Sequence, residues 1–244
     1  MKATKEEIIA RLRSDIAAWE GFRPPQAGEN NSFGLGPIEN AFPNGIFPTG
    51  VLHEFISSRP EFTAAIGAFI AGIMQQLLQK GGVCVWVSYT RRIYPPALKR
   101  FGVDPDRIIF IDVVREKDVL WSTEEALKCN GITAVICETR LLSFMESRRL
   151  QLAIEQSEVT GFILRKDAKK VTTTACSARW TVKPLRSKLR AGMPGVGYPR
   201  WQVELLKVKN GKPGSWTLEW KNNAFQYLEP QTEVSQTDPK RRYA

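Results

Sequence analysis

The sequence predicts an α/β domain: a mainly parallel sheet flanked by helices on both faces and continued by an antiparallel hairpin at its C-terminal end. Three observations point there. Five apolar segments of strand character, at 51–56, 83–88, 108–113, 133–137 and 159–164, alternate with helical intervals at 62–79, 95–101, 118–129 and 143–157, the order that parallel βαβ units require. Turn residues fall where short helix-to-strand connections need them, with Gly81-Gly82 ahead of VCVWVS and Asn130-Gly131 ahead of TAVIC. After Leu164 the alternation gives way to strand candidates at 178–182, 201–208 and 215–220, the last two joined by the turn sequence Asn210-Gly211-Lys212-Pro213-Gly214.

Ahead of this block, residues 4–20 open with Thr4 as a cap and set Ile8, Ile9, Leu12, Ile16 and Trp19 near one helical face. A free helix of that length is marginal, so its apolar stripe lies on its own domain or engages another subunit or protein. Pro24, Pro25, Gly28 and the paired Asn30-Asn31 mark a linker. The expected division is therefore a helix and linker over 1–33, a core domain over 34–230 and a tail over 231–244, where no buried apolar pattern remains. The tryptophans, at 19, 86, 121, 180, 201, 216 and 220, are dispersed through periodic segments and read as packing residues.

A chain of 244 residues buries a sizeable core. Its formal charge of +10 favours a polyanionic partner. Cys84, Cys129, Cys137 and Cys176 lack the close spacing of metal ligands, and no metal site is expected. With no signal peptide and no apolar run judged long and continuous enough to span a bilayer, the expectation is a cytoplasmic protein without a membrane partner.

The strand at 51–56 followed by a long apolar-rich helix sets out the entrance to a nucleotide site. A P-loop would place a glycine-rich turn ending in Gly-Lys-Ser/Thr between them. Here stand Ser57, Ser58, Arg59, Pro60, Glu61, Phe62 and Thr63. No glycine frees the backbone to wrap a phosphate, no lysine reaches the outer phosphates, and Glu61 puts a like charge near the helix N-terminus that would receive the anion.

The run LGPIENAFPNGIFPTGVLHEF resembles the entrance to the first core strand of RecA-like domains, and VWVSYTRRIYPPALKRFGVDPDRIIFI resembles their second-strand region. ESRRLQLAIEQSEVTGFILR and PRWQVELLKVKNGKPGSWTLEW carry a closer resemblance, to the ImuA family of mutagenic DNA-repair accessory proteins. Together these anchors cover about residues 34–228. A more distant resemblance runs to RecA-like bacterial cell-division inhibitors.

The resemblance implies a RecA-like sheet with a degenerate P-loop. Within it, Thr63 stands where the magnesium-binding Ser/Thr would be, Thr90 in place of the water-activating glutamate, and Glu138 at the Walker B aspartate position. Phosphoryl transfer depends on placing charge and reactants, so the joint loss of cradle, lysine and activating carboxylate implies no enzyme and no nucleotide cofactor. The ImuA resemblance further implies an accessory in SOS-type, error-prone translesion synthesis. Its partners would be a catalytically defective Y-family polymerase relative and an alternative replicative polymerase, with self or RecA-like association as a further mode. Two alternatives remain: an inhibitor binding a tubulin-like division polymer, and an atypical ATPase using a rearranged loop.

Other catalytic constellations are weak. His53 lies within the strand VLHEF with no GxSxG elbow nearby, and Glu54 points to the opposite face. Asp104, Asp106 and Asp112 lack the spacing of a calcium loop.

Positive charge is localised. From Arg165 to Arg200 there are ten basic residues, Arg165, Lys166, Lys169, Lys170, Arg179, Lys183, Arg186, Lys188, Arg190 and Arg200, against the single acid Asp167. By resemblance, RKDAKKVTTTACSA occupies the second DNA-facing loop of a RecA-like fold. Thr172, Thr173 and Thr174 offer hydroxyl donors there, and the lysines diffuse attraction. Any DNA contact would be sequence-independent; an acidic protein surface fits the same charge, and so does a solvated loop. A second patch, Arg91, Arg92, Lys99 and Arg100, flanks Tyr89 and Tyr94. Arg148 and Arg149 open the helix at 143–157 and read either as interface residues or as solvated charges.

Overall fold

Each central strand is apolar on both sides, and that dictates two covering layers. The computed structural model describes Leu12 and residues 32–90, 93–167, 171–187 and 195–229. Strands β1 (Leu52–Ile56), β2 (Val83–Ser88), β3 (Ile108–Asp112), β4 (Ile132–Thr139) and β5 (Thr160–Arg165) form a parallel block. It continues through β6 (Ala178–Leu185), β7 (Arg200–Val208), β8 (Gly214–Lys221) and β9 (Ala224–Leu228) into one sheet of order β3-β2-β4-β5-β1-β6-β7-β8-β9.

Alternation along the strands sorts the core into two clusters. Phe55, Cys84, Trp86, Ala134, Ile136, Phe162 and Leu164 face one side, beneath helix α1 (Pro60–Gln79). Leu52, Val85, Val87, Val135, Cys137 and Ile163 face the other, beneath α2 (Asp118–Leu127) and α3 (Phe144–Ser157). Helix α3 starts at a capping box: the Ser143 hydroxyl accepts from the Glu146 amide at 3.2 Å while Glu146 accepts from the Ser143 amide at 2.7 Å. Helix α1 has the length and apolar composition of a membrane span, which the sequence reading did not credit to it. Its Ile66, Phe69, Ile70, Ile73 and Met74 are buried under the sheet, as in a core helix.

The antiparallel part is larger than a hairpin. β6 lies parallel to β1, and β6 through β9 then form a four-strand meander; β9, a strand beyond those expected, pairs with β8 across the two-residue turn Asn222-Asn223, both at positive φ. Gly72 of α1 lets this extension approach, since a Cβ there would lie 2.5 Å from Phe225 Cζ and 2.9 Å from Trp220 Cζ3. The interval 95–101 is 3-10 rather than α-helical, opened by Pro95-Pro96 and closed by Gly102 in the left-handed conformation.

The stretch before β1 packs into the core as two 3-10 turns, Gly36–Ala41 and Pro43–Gly45. Buried Glu39 organises it, accepting from the amides of Phe33 at 2.8 Å and Leu35 at 3.0 Å. Of the N-terminal stripe, Ile8, Ile16 and Trp19 lie outside the described residues, as does the tail at 231–244; Leu12 is helical and 54% exposed. Trp121 departs from the packing role read for the tryptophans: it is 64% exposed on α2, because the buried face of that helix is taken by Val119, Thr123, Ala126 and Leu127.

Candidate functional site

In open parallel sheets, ligand sites lie beyond the carboxyl ends of the strands. Here those ends carry polar residues in a row: Ser57 after β1, Ser88, Tyr89 and Thr90 at β2, Glu138 and Thr139 on β4, and Arg165 and Lys166 at β5.

The turn from β1 to α1 is three residues long, Ser57, Ser58 and Arg59. The Ser57 hydroxyl lies 2.9 Å from the Arg59 carbonyl and 2.7 Å from the Thr63 hydroxyl, and the Ser57 amide donates to the Arg165 carbonyl of β5 at 2.9 Å. The amides of Phe62 and Thr63 each bond the Arg59 carbonyl at 3.1 Å, and Pro60 has no amide to offer. Ser58 and Arg59 are exposed, with Arg59 3.6 Å from Glu61. An eight-residue P-loop wraps phosphate with free amides. The equivalent interval here, Ser57 to Thr63, has no glycine and no lysine, and its Ser57 and Thr63 hydroxyls bond one another. A nucleotide and its metal therefore do not fit the residues present.

Beside it lies a small polar cleft of about 30 Å³, lined in part by Thr63, Thr90, Glu116, Glu138, Arg140 and Lys166. The structure thus brings together three residues that the sequence reading assigned to the degenerate site, Thr63, Thr90 and Glu138. Glu138 is 4% exposed; one oxygen accepts from Trp86 Nε1 at 2.8 Å and the other from Lys166 Nζ at 2.6 Å. Lys166 Nζ also reaches the Thr90 hydroxyl at 3.4 Å. Nothing in the sequence marks Trp86, Glu116 and Arg140 as site residues, and Lys166, expected among the DNA-facing cations, stands here on Glu138.

A second network centres on Glu54, which is fully buried on β1. It accepts from Arg165 Nη1 at 2.8 Å, Arg179 Nε at 2.7 Å and the Thr174 hydroxyl at 2.8 Å. Thr172 joins it, its hydroxyl donating to the Leu142 carbonyl at 3.2 Å and its own carbonyl accepting from Arg179 Nη2 at 2.6 Å. His53 does face away from Glu54, stacked on Phe47 at 4.6 Å between ring centroids. His53 Nε2 donates to the Pro48 carbonyl at 2.8 Å, and Nδ1 accepts from Trp180 Nε1 at 3.3 Å. That assigns the neutral Nε2–H tautomer, and burial lowers its pKa to about 4 despite the Pro48 bond. Cys84, Cys137 and Cys176 are buried and pushed up to about 12 by loss of solvation, which leaves them inert thiols.

These pairs correct the basic surface. Arg165 is 2% exposed and bound to Glu54, so it is an internal cation rather than a surface contact. Lys166 is 13% exposed and bound to Glu138. Arg179 is held by Glu54, Lys183 by Glu204 at 2.8 Å and Arg200 by Glu219 at 2.6 Å. The carboxylates come from β1, β4, β7 and β8, outside the segment's own count or opposite it in register. Arg186 is exposed, as are Thr172 and Thr173, while Lys169, Lys170, Lys188 and Arg190 lie outside the described residues. Arg148 and Arg149 are exposed on α3, paired with Glu155 and Glu124 respectively. Arg91 and Arg92 also lie outside the described residues; Lys99 and Arg100 are exposed.

Two curated relatives, Protein ImuA from Caulobacter vibrioides strains NA1000 / CB15N and ATCC 19089 / CIP 103742 / CB 15, are each 32% identical to this chain over 200 residues, covering 77% of it and 82% of their own length. The chain belongs to the ImuA family. No family model matches it. Within this ImuA-family chain, the cleft beside Thr63 and the Glu138–Lys166 pair lie together at the sheet's carboxyl edge.

Proposed function

We propose that this chain is a non-catalytic accessory protein of the DNA-damage response, serving error-prone synthesis past lesions as a RecA-like scaffold in the cytoplasm. Membership of the ImuA family supports the damage-response role. The parallel block with its strand-turn-helix at β1 and its antiparallel continuation supports the RecA-like reading. The observation that carries the non-catalytic part is the three-residue turn at Ser57–Arg59, closed on Thr63 and followed by Pro60. Such a turn offers no cradle for a triphosphate.

The scaffold holds together a catalytically defective Y-family polymerase relative and an alternative replicative polymerase. Contact with DNA is sequence-independent and runs through Lys169, Lys170, Thr172, Thr173, Arg186, Lys188 and Arg190. The apolar stripe of Ile8, Leu12, Ile16 and Trp19, with Arg148 and Arg149, serves protein contacts, self-association among them.

Affinity recovery from cells after DNA damage, with and without nuclease, tests the reading. Recovery of polymerase components that persists through nuclease treatment is expected. Recovery of a tubulin-like division polymer in their place, or recovery that is the same in undamaged cells and free of polymerases, would overturn it.

A further inference from the structure

Glu138 sits at the carboxyl end of a central parallel strand, 4% exposed, in the wall of the cleft that Thr63 and Thr90 also line. A carboxylate withdrawn that far from water needs donors or a compensating charge within hydrogen-bond reach. In P-loop NTPases a strand carboxylate and a helix Ser/Thr at such a place share a magnesium ion. Here a side chain of the same chain meets the need.

We infer that the Lys166 ammonium is the permanent counter-ion of Glu138, taking the place of a bound metal and fixing the start of the basic segment to the sheet with no ligand required. This deepens the proposed reading and rests on it. Three observations support the assignment. Lys166 Nζ lies 2.6 Å from Glu138 Oε2 and 3.4 Å from the Thr90 hydroxyl, while Trp86 Nε1 donates to the other carboxylate oxygen, so both oxygens are engaged. Backbone bonding holds the lysine there: the Lys166 amide donates to the Thr139 carbonyl at 2.8 Å, extending the β4–β5 pairing by one residue. Directly before it, Arg165 is bound to Glu54.

Two consequences follow for the same loop. A divalent cation reaches Glu138 only by displacing an ammonium that is already in place. Lys166 is also withheld from phosphates, so nucleic acid or an acidic partner meets the segment beyond it. Two buried carboxylates hold Arg165 and Lys166, the residues at which the loop begins.

Lysine acylation followed by mass spectrometry on the full chain tests the assignment. In the wild-type protein Lys166 should react roughly tenfold more slowly than exposed Lys99 and Lys117, because its amine is tied into the hydrogen bond to Glu138 and withheld from the reagent. Glu138→Gln should raise the Lys166 rate by roughly the same factor and leave Lys99 and Lys117 unchanged. Wild-type Lys166 reacting as fast as Lys99 overturns the inference, and that measurement decides alone if Glu138→Gln does not fold. A folded Glu138→Gln protein in which Lys166 stays slow also overturns it, since the protection is then burial and not the pair.

Two further arms use the wild-type protein. A single-stranded oligonucleotide should leave the Lys166 rate unchanged; protection by it would place Lys166 on phosphate and overturn the inference. Saturating MgATP should likewise change nothing. If MgATP protects Ser57–Thr63 in parallel hydrogen exchange while Lys166 remains slow without nucleotide, the counter-ion stands and the nucleotide-free accessory reading fails.

Discussion

The slope of oligonucleotide affinity against salt separates the cations this chain presents from those its own carboxylates engage. For single strands, each phosphate neutralised contributes about −0.7 to the slope of log affinity against log salt. Ten basic residues between Arg165 and Arg200, all in contact, would give about −7. Pairing removes Arg165, Arg179, Lys166, Lys183 and Arg200. Recruiting Arg165 to a phosphate would strand Glu54 without one of its partners, at a cost of about 3–5 kcal/mol, more than a single phosphate contact returns. Lys169, Lys170, Arg186, Lys188 and Arg190 remain, which bounds the segment's slope at about −3.5. Fluorescence anisotropy with a labelled oligonucleotide from low to moderate salt reads it directly. Arg186→Gln should flatten the slope by about 0.7, and Lys166→Gln should leave it unchanged. A slope near −7, or an equal effect of the two substitutions, would refute the reasoning.

His53 makes stability pH-dependent. Its folded pKa of about 4 lies below the ordinary 6.5, so the native state favours the neutral ring; the contribution is full above pH 6.5 and is lost as pH falls towards 4, by an amount on the order of 3 kcal/mol. Urea melts between pH 7 and 4 should show that loss, and His53→Phe should flatten this limb. Glu54→Gln leaves Arg165 and Arg179 facing a neutral amide in a buried setting, and chemical denaturation should show a loss of about 3–5 kcal/mol with the m-value retained. Gly72→Ala forces a methyl against Phe225 and Trp220, and the same assay should show a cost of about 1–3 kcal/mol.

The parallel block was legible because strands buried on both faces must be continuously apolar, as VCVWVS and TAVIC are, and their boundaries in the structure shift by no more than two residues. The strand-turn-helix at β1 was legible because a polar stretch beginning at Ser57 separates an apolar strand from an apolar-rich helix. The ion networks were not. Arg165 and Arg179 meet Glu54 from 111 and 125 residues away, and Lys166 meets Glu138 across 28; a charge count over a contiguous stretch cannot register such partners. A signal was present all the same. Glu54 and Glu138 are charges inside largely apolar strands, and a carboxylate so placed must find hydrogen-bond donors or a cation. The ends of neighbouring strands, where Arg165 and Lys166 stand, were the places to look. Gly72 offered no such signal, since its close approach to Phe225 exists only once β9 has folded over α1.

Equilibrium binding of MgATP, followed by titration calorimetry, tests the central claim most directly. The closed turn at Ser57–Thr63 and the Lys166–Glu138 pair predict no saturable heat at nucleotide concentrations up to about 1 mM. One-to-one binding tighter than about 100 μM that disappears in Thr63→Ala would contradict it.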